Sequence, residues 1–179
     1  MGWRGRCVGV VLAVAMVEAG CGYALAGRGS FLPAHVKTIG IPTFGNRSTV
    51  FNLETLLTEK IREEFIGRGK YRIVPQEAGV DALLTGEIVA VSVAPASFTA
   101  EQLASRYVIA IVASVRLRDV RDNTVLWENP SVSIRQEYEA STSGAVVDPN
   151  AFLSQEANAL ERVSAEFARV IVSSILESF

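Results

Sequence analysis

Tyr107-Val108-Ile109-Ala110-Ile111-Val112-Ala113-Ser114-Val115-Arg116-Leu117-Arg118 is the stretch whose reading decides the fold. Successive side chains of a strand point to opposite faces. Tyr107, Ile109, Ile111, Ala113, Val115 and Leu117 therefore share one side. Ser114, Arg116 and Arg118 fall on the other, where Val108 and Val112 are apolar near the start. One face is thus buried and the other only partly covered, as in an antiparallel sheet packed on a single side. The strand is expected to run to Val120, followed by a polar turn at Arg121-Asp122-Asn123-Thr124.

Working outward, Ala82 to Val93 predicts a second long strand. Ile88, Val89, Val91 and Val93 make it apolar on both faces near its middle, which points to a central position. Pro95 is expected to end it, with Ala96 to Ser105 as a hairpin loop. On the other side, Val125-Leu126-Trp127 begins a return strand. Pro130 lacks an N–H and marks a bulge or an edge there, and Val132, Ile134, Gln136 and Tyr138 continue the alternation.

Two amphipathic helices flank these strands. Phe51 to Ile66 carries Leu53, Leu56, Leu57, Ile61 and Phe65 on one face, with Asn52 as a plausible N-cap and Gly67 and Gly69 at its end. It lies between short strands at Val36–Ile41, stopped by Pro42, and Tyr71–Val74. Thr43 to Ser48 reads as a turn or loop. Asp148-Pro149 is expected to open the last helix, buried through Leu153, Ala157, Leu160, Ser164, Phe167, Ile171 and Ile175. Two helices that each need an apolar surface, and strands that supply one sheet, predict an α+β two-layer sandwich. Both helices pack on one face of a mixed, largely antiparallel sheet. The strand-helix-strand unit should be parallel and the later strands hairpins.

The N-terminus has three zones. Arg4 and Arg6 precede an apolar core from Cys7 to Val17, and Ala19-Gly20 supply small residues before Cys21. The core has the length of a secretory signal and is too short to span a bilayer, which takes about 20 apolar residues. A cysteine placed there looks like a bacterial lipobox, although Glu18 stands where that pattern usually has an aliphatic residue. Residues 1–20 are then a removed signal, 21–32 a lipidated tether and 33–179 a single domain. Gly22, in place of the Asp of an inner-membrane retention signal, points to the outer membrane. A plain signal peptide cut nearby is the other reading. With Cys7 removed and Cys21 acylated, the mature domain has no internal disulfide, so its stability rests on packing.

A net charge of −2 gives nucleic-acid binding no electrostatic support. Catalysis has little to stand on. His35 is the one histidine and falls in a loop, no His/Cys/Asp group has metal spacing, and Glu59, Glu63 and Glu64 read as a solvated helix face. No cofactor is expected.

The chain resembles the LPS-assembly lipoprotein family LptE, in its divergent form outside the enteric bacteria. The residues that carry the likeness are Cys21-Gly22-Tyr23-Ala24-Leu25, Val36-Lys37-Thr38-Ile39-Gly40-Ile41-Pro42-Thr43-Phe44-Gly45-Asn46, Asp81-Ala82-Leu83-Leu84-Thr85-Gly86-Glu87-Ile88 and Ala159-Leu160-Glu161-Arg162. The resemblance implies a non-enzymatic outer-membrane lipoprotein that plugs the LptD β-barrel, helps assemble it and binds lipopolysaccharide. Arg106, Arg116 and Arg118 are candidate contacts to LPS phosphates, since the guanidinium fork takes phosphate oxygens bidentately. As strand-end cations they equally keep a sheet soluble. Phe44, Asn46, Trp127 and Tyr138 are candidate partner contacts, or else turn, core and hairpin residues. The alternative function is a lipid-anchored structural subunit of another envelope secretion or Tol-like assembly, because this layout alone does not fix function.

Overall fold

The computed structural model describes residues 32–98, 104–139 and 157–178. The strands are β1 (Thr38–Gly40), β2 (Gly45–Asn46), β3 (Arg72–Val74), β4 (Ala82–Phe98), β5 (Ala104–Asp119) and β6 (Val125–Glu139). The helices are α1 (Leu53–Gly67) and α2 (Ala157–Glu177). One sheet runs in the order β3-β1-β4-β5-β6, with β2 on the β1 side of β4. β1, β2 and β3 pair in parallel, and β4, β5 and β6 form an antiparallel meander. Both helices pack into the one core that the sheet offers, which is the α+β sandwich expected from the element order. They also bridge each other: Lys60 Nζ lies 3.0 Å from Glu161 Oε1, and Arg68 donates to Ser173 Oγ at 2.9 Å.

β5 behaves as its alternation requires. Tyr107, Ile109, Ile111, Ala113, Val115 and Leu117 are buried, while Val108, Ala110, Val112 and Ser114 are half-covered. The doubly apolar look of β4 has another cause than burial on both sides. Ile88 pairs with Ala113 and Ala90 with Val112, so Val89 is an extra residue in a β-bulge. Before it, Ala82, Leu84 and Ile88 face the helices; after it, Val91 and Val93 do. From Ile88 to Val93 the buried apolar residues thus stay on one face, Val89 itself being 45% exposed, while Leu83 lower in the strand is buried on the other face near Val80. The strand also does not stop at Pro95. It continues to Phe98 with register shifts from Pro95 through Ser97 to Phe98, because an irregular pairing removes the need for a ladder N–H there. Pro130 sits where β6 carries an extra residue between Asn129 and Val132, on the sheet's edge strand.

The loop expected over 43–48 contains β2, which pairs Gly45 with Glu87 and Asn46 with Ile88. Asn52 precedes α1 but does not cap it: its backbone is left-handed, with φ of 61°, and its side chain makes no capping bond. The other end follows expectation, since α1 stops at Gly67 and Gly69 takes a φ of +68°. The stripes of both helices meet the sheet, and burying a phenylalanine such as Phe65 or Phe167 contributes about 2–3 kcal/mol. The start at Asp148-Pro149 and Leu153 lie outside the described residues.

Candidate functional site

The corner between β1 and α1 is closed by an unusually complete set of bonds. Phe44 is 4% exposed, with its ring lying on Gly86. A Cβ on Gly86 would sit 2.2 Å from Phe44 Cε2, so only glycine admits the ring. The Phe44 N–H donates to Thr58 Oγ1 at 3.0 Å, and Arg62 donates twice to the Ile41 carbonyl, at 2.9 and 2.6 Å. Asn46 uses both ends of its amide. Its Nδ2 donates to the Val50 carbonyl at 2.8 Å and to Glu54 Oε2 at 2.6 Å, while its Oδ1 accepts from the Ser48 N–H and hydroxyl. Phe44 and Asn46 therefore hold the corner together, and neither offers an unengaged polar group or an exposed ring.

The opposite end of β1 is spliced by Asp81. Its Oδ2 accepts from the backbone N–H groups of Lys37 at 2.9 Å and Thr38 at 2.8 Å, and these bonds, the Lys37 one first, hold its carboxyl below the usual carboxylate range. His35 Nε2 meets the buried Asp119 Oδ2 at 2.5 Å, so the loop histidine ties the entry of the domain to the β5–β6 turn.

The helix-free face of the sheet carries the three arginines. Arg116 projects beside Thr85, Gly86, Glu87 and Ser114, which with it line an open groove of about 280 Å³. Its Nε and Nη2 both donate to Glu128 Oε1, at 3.0 and 2.5 Å, across the β5–β6 pair. Arg47 donates to Glu87 Oε1 at 2.6 Å on the same groove wall. Arg118 donates to Asn123 Oδ1 in the turn at 2.8 Å. Arg106 is exposed opposite Glu139, ten residues up the strand from Arg116, or about 33 Å at strand rise. The structure therefore groups Arg116 with Arg118 and separates Arg106 from both. Trp127 and Tyr138 are half-buried on the other face, packed against the core opposite Leu117 and Tyr107. Cys21 lies outside the described residues.

The groove joins two guanidinium groups to two carboxylates in a shallow, open setting. That arrangement can exchange its internal ion pairs for an anionic ligand's oxygens. Glu128 had no sequence signal as the partner of Arg116, because the residue that opposes it depends on a bulge in β6, and Glu87 meets Arg47 only through the pairing of β2 with β4. Among the described residues no group of three His, Cys, Asp or Glu is placed to hold a metal ion, and no helix is long and apolar enough to cross a membrane.

The profile of the lipopolysaccharide-assembly family LptE matches residues 36–175. The chain belongs to the LptE family. That places its role generally in lipopolysaccharide assembly, among envelope lipoproteins and in a family without enzymatic activity. No curated protein sequence matches it. Its fold is similar to that of the hypothetical protein CT253 from Chlamydia trachomatis, at 12% identity and a TM-score of 0.52, over 79% of this chain and 96% of that one. It is similar as well to rare lipoprotein B from Shewanella oneidensis, at 12% identity and a TM-score of 0.50, over 79% and 96%. At that identity the likeness is one of fold. Of the segments that carry the family likeness, 36–46 and 81–88 set Phe44 against Gly86 at the corner and Asp81 on the start of β1 at its other end.

Proposed function

We propose that this LptE-family chain is an outer-membrane lipoprotein, freed of a signal over residues 1–20 and anchored through an acylated Cys21. Its domain plugs an LptD-type β-barrel from the periplasmic side, helps that barrel assemble and binds lipopolysaccharide during insertion into the outer leaflet. The observation that carries this reading is the family match across residues 36–175. The groove at Arg116 and Glu128 supports the ligand part. A phosphate of the LPS core competes with the Glu128 carboxylate for the same guanidinium, and such charge-assisted bonds are the stronger kind. Arg118, one turn of the pleat away on the same face, adds a second cation, and Arg106 serves a separate contact.

Affinity purification of the full chain from envelope membranes tests the partner: a large β-barrel protein is expected to co-purify, and its absence overturns the barrel reading. LPS binding by the purified chain tests the site. Arg116→Ala with Arg118→Ala should weaken binding about tenfold or more, the effect of losing one or two charge-assisted bonds of about 1.5–3 kcal/mol each. Unchanged binding in that variant and in Arg106→Ala removes the arginines from the proposal.

A further inference from the structure

Gly67-Arg68-Gly69-Lys70-Tyr71-Arg72 puts three cations within five residues, at the turn from α1 into β3. All three are exposed. A Cβ on Gly67 or Gly69 would meet no atom within 4 Å, so the turn stands clear of the rest of the fold. β1 and β3 are parallel, and the turn therefore lies at the end of the sheet where β1 begins. There the Arg72 N–H donates to the Lys37 carbonyl at 2.8 Å, which sets a fourth exposed cation beside it. The acids of this end are mostly engaged. Asp119 is buried, Asp81 accepts from the Lys37 and Thr38 N–H groups, and Glu64 pairs with Arg68 at 2.9 Å. Asp122 is offset by Arg121 next to it in the β5–β6 turn, and Glu177 shares a hollow with Arg68 and Lys70. Lys37, Lys70 and Arg72 thus leave this end positive at its surface, on a chain of net charge −2. Ile66, 60% exposed at the end of α1, adds an apolar side chain beside the cations.

The described chain enters the domain at this same end. Leu32 is 2% exposed and its backbone is bonded to the Tyr71 hydroxyl, while His35 is held on Asp119. Leu32 follows Cys21 by eleven residues, a span of at most about 40 Å when fully extended.

We propose that this end, through Lys37, Arg68, Lys70 and Arg72, rests on the anionic phospholipid headgroups of the leaflet that holds the acyl anchor. The inference rests on the reading of Cys21 as acylated and gives the anchored domain a second membrane contact. A tether ending at Leu32 keeps this end of the domain close to the bilayer and raises the effective concentration of headgroups around it. Distance alone does not orient the domain. Lys and Arg are drawn to an anionic surface within a screening length of about 8 Å, so the cations turn this end towards the headgroups. Cations beside an exposed aliphatic side chain are the pairing that an interfacial contact uses, and a basic patch is the usual second signal beside an acyl chain.

Vesicle flotation tests it, with residues 21–179 carrying Cys21→Ser. Every buried apolar residue described lies between Leu32 and Leu176, so this chain keeps the whole described fold. It carries no acyl group, so headgroup attraction is read apart from the anchor. Failure of the anchor reading would show separately, as an unmodified Cys21 in the mass of the mature protein. Binding to phosphatidylcholine vesicles with about one-third phosphatidylglycerol should be at least tenfold tighter than to phosphatidylcholine alone, and should fall as salt shortens the screening length. Lys70→Gln with Arg72→Gln should weaken it at least fivefold, whereas Lys70→Arg with Arg72→Lys keeps the charge and should keep the binding. Arg135→Gln with Arg162→Gln removes the same charge from exposed sites elsewhere and should change binding less than twofold. Equal binding to both kinds of vesicle overturns the proposal, as does an equal loss in the two neutralised variants. Loss of lipopolysaccharide binding with vesicle binding intact in Lys70→Gln with Arg72→Gln also overturns it, and moves these cations to the LPS ligand.

Discussion

The lower and upper halves of β4 belong to one strand but are held in place by different means. From Ala82 to Ile88 the strand is fixed by fit and by bonds to backbone. Gly86 has no room for a Cβ under Phe44, Asp81 clamps the start of β1, and β1 and β2 cover the edge. A Cβ on Gly40 would likewise lie 2.4 Å from the Gln76 carbonyl oxygen. Above Val89 no such constraint appears among the described residues, and the strand is positioned by its pairing with β5 and by the apolar alternation of Val91 and Val93. The bulge at Val89 separates a region specified by contact from one specified by pattern. Substitutions should therefore matter by identity below it and by periodicity above it.

The largest expected effect breaks the fitted half. Phe44→Ala should cost about 3–5 kcal/mol in urea unfolding, as for other buried phenylalanines. Gly86→Ala should cost about 1–3 kcal/mol by overpacking against the ring. In the Phe44→Ala background the same Gly86→Ala change should cost much less, because the clash has gone. Additive costs would show that the ring and the glycine are not in the contact described.

Asp81→Asn should cost about 1–2 kcal/mol, since the two backbone donors lose a charged acceptor. Its pH dependence has a definite sign. The folded pKa of Asp81 is lowered, so its contribution is complete above the unfolded carboxylate value of about 3.9 and is lost as pH falls through the lower folded value. Wild type and variant should thus differ at neutral pH and converge in acid. A constant difference down to pH 2 would assign the effect to packing rather than to the charge.

The smallest effect sharpens the other side of the comparison. Deleting Val89 removes the extra residue and leaves Ile88, Val91 and Val93 on the helix side with their β5 partners unchanged. The deletion should change stability by under about 1 kcal/mol, the range of exposed sites. Deleting Leu84, in contrast, would turn the start of the strand over, because a one-residue slip exchanges the faces. A Val89 deletion as damaging as that would mean that the bulge, and not only the pattern, fixes the upper half.

Much of the architecture was legible because it rests on periodicity. The alternation of Tyr107 to Leu117 and the stripes of Leu53 to Phe65 and Val163 to Ile175 each follow from one segment alone. The candidate site was less legible. Arg116 and Arg118 stood out by charge and shared a face as expected, but the partnership with Glu128 required the β6 bulge next to the turn to be counted. Phe44 and Asn46 sat in a recognisable loop, yet their work inside the corner depends on Gly86, Thr58 and Glu54, which come from other elements.

By itself the sequence determined the layer arrangement, the parallel unit around α1, the meander and the residues that fill the core. These depend on side-chain period and on helix and turn chemistry, which are local. Only the tertiary structure decided that β4 keeps its buried residues from Ile88 to Val93 on one face by a bulge at Val89, that it continues through Pro95 and that Arg116 answers Glu128. Register, bulges and edges are relations between strands, and a residue's own neighbours in the chain do not contain them.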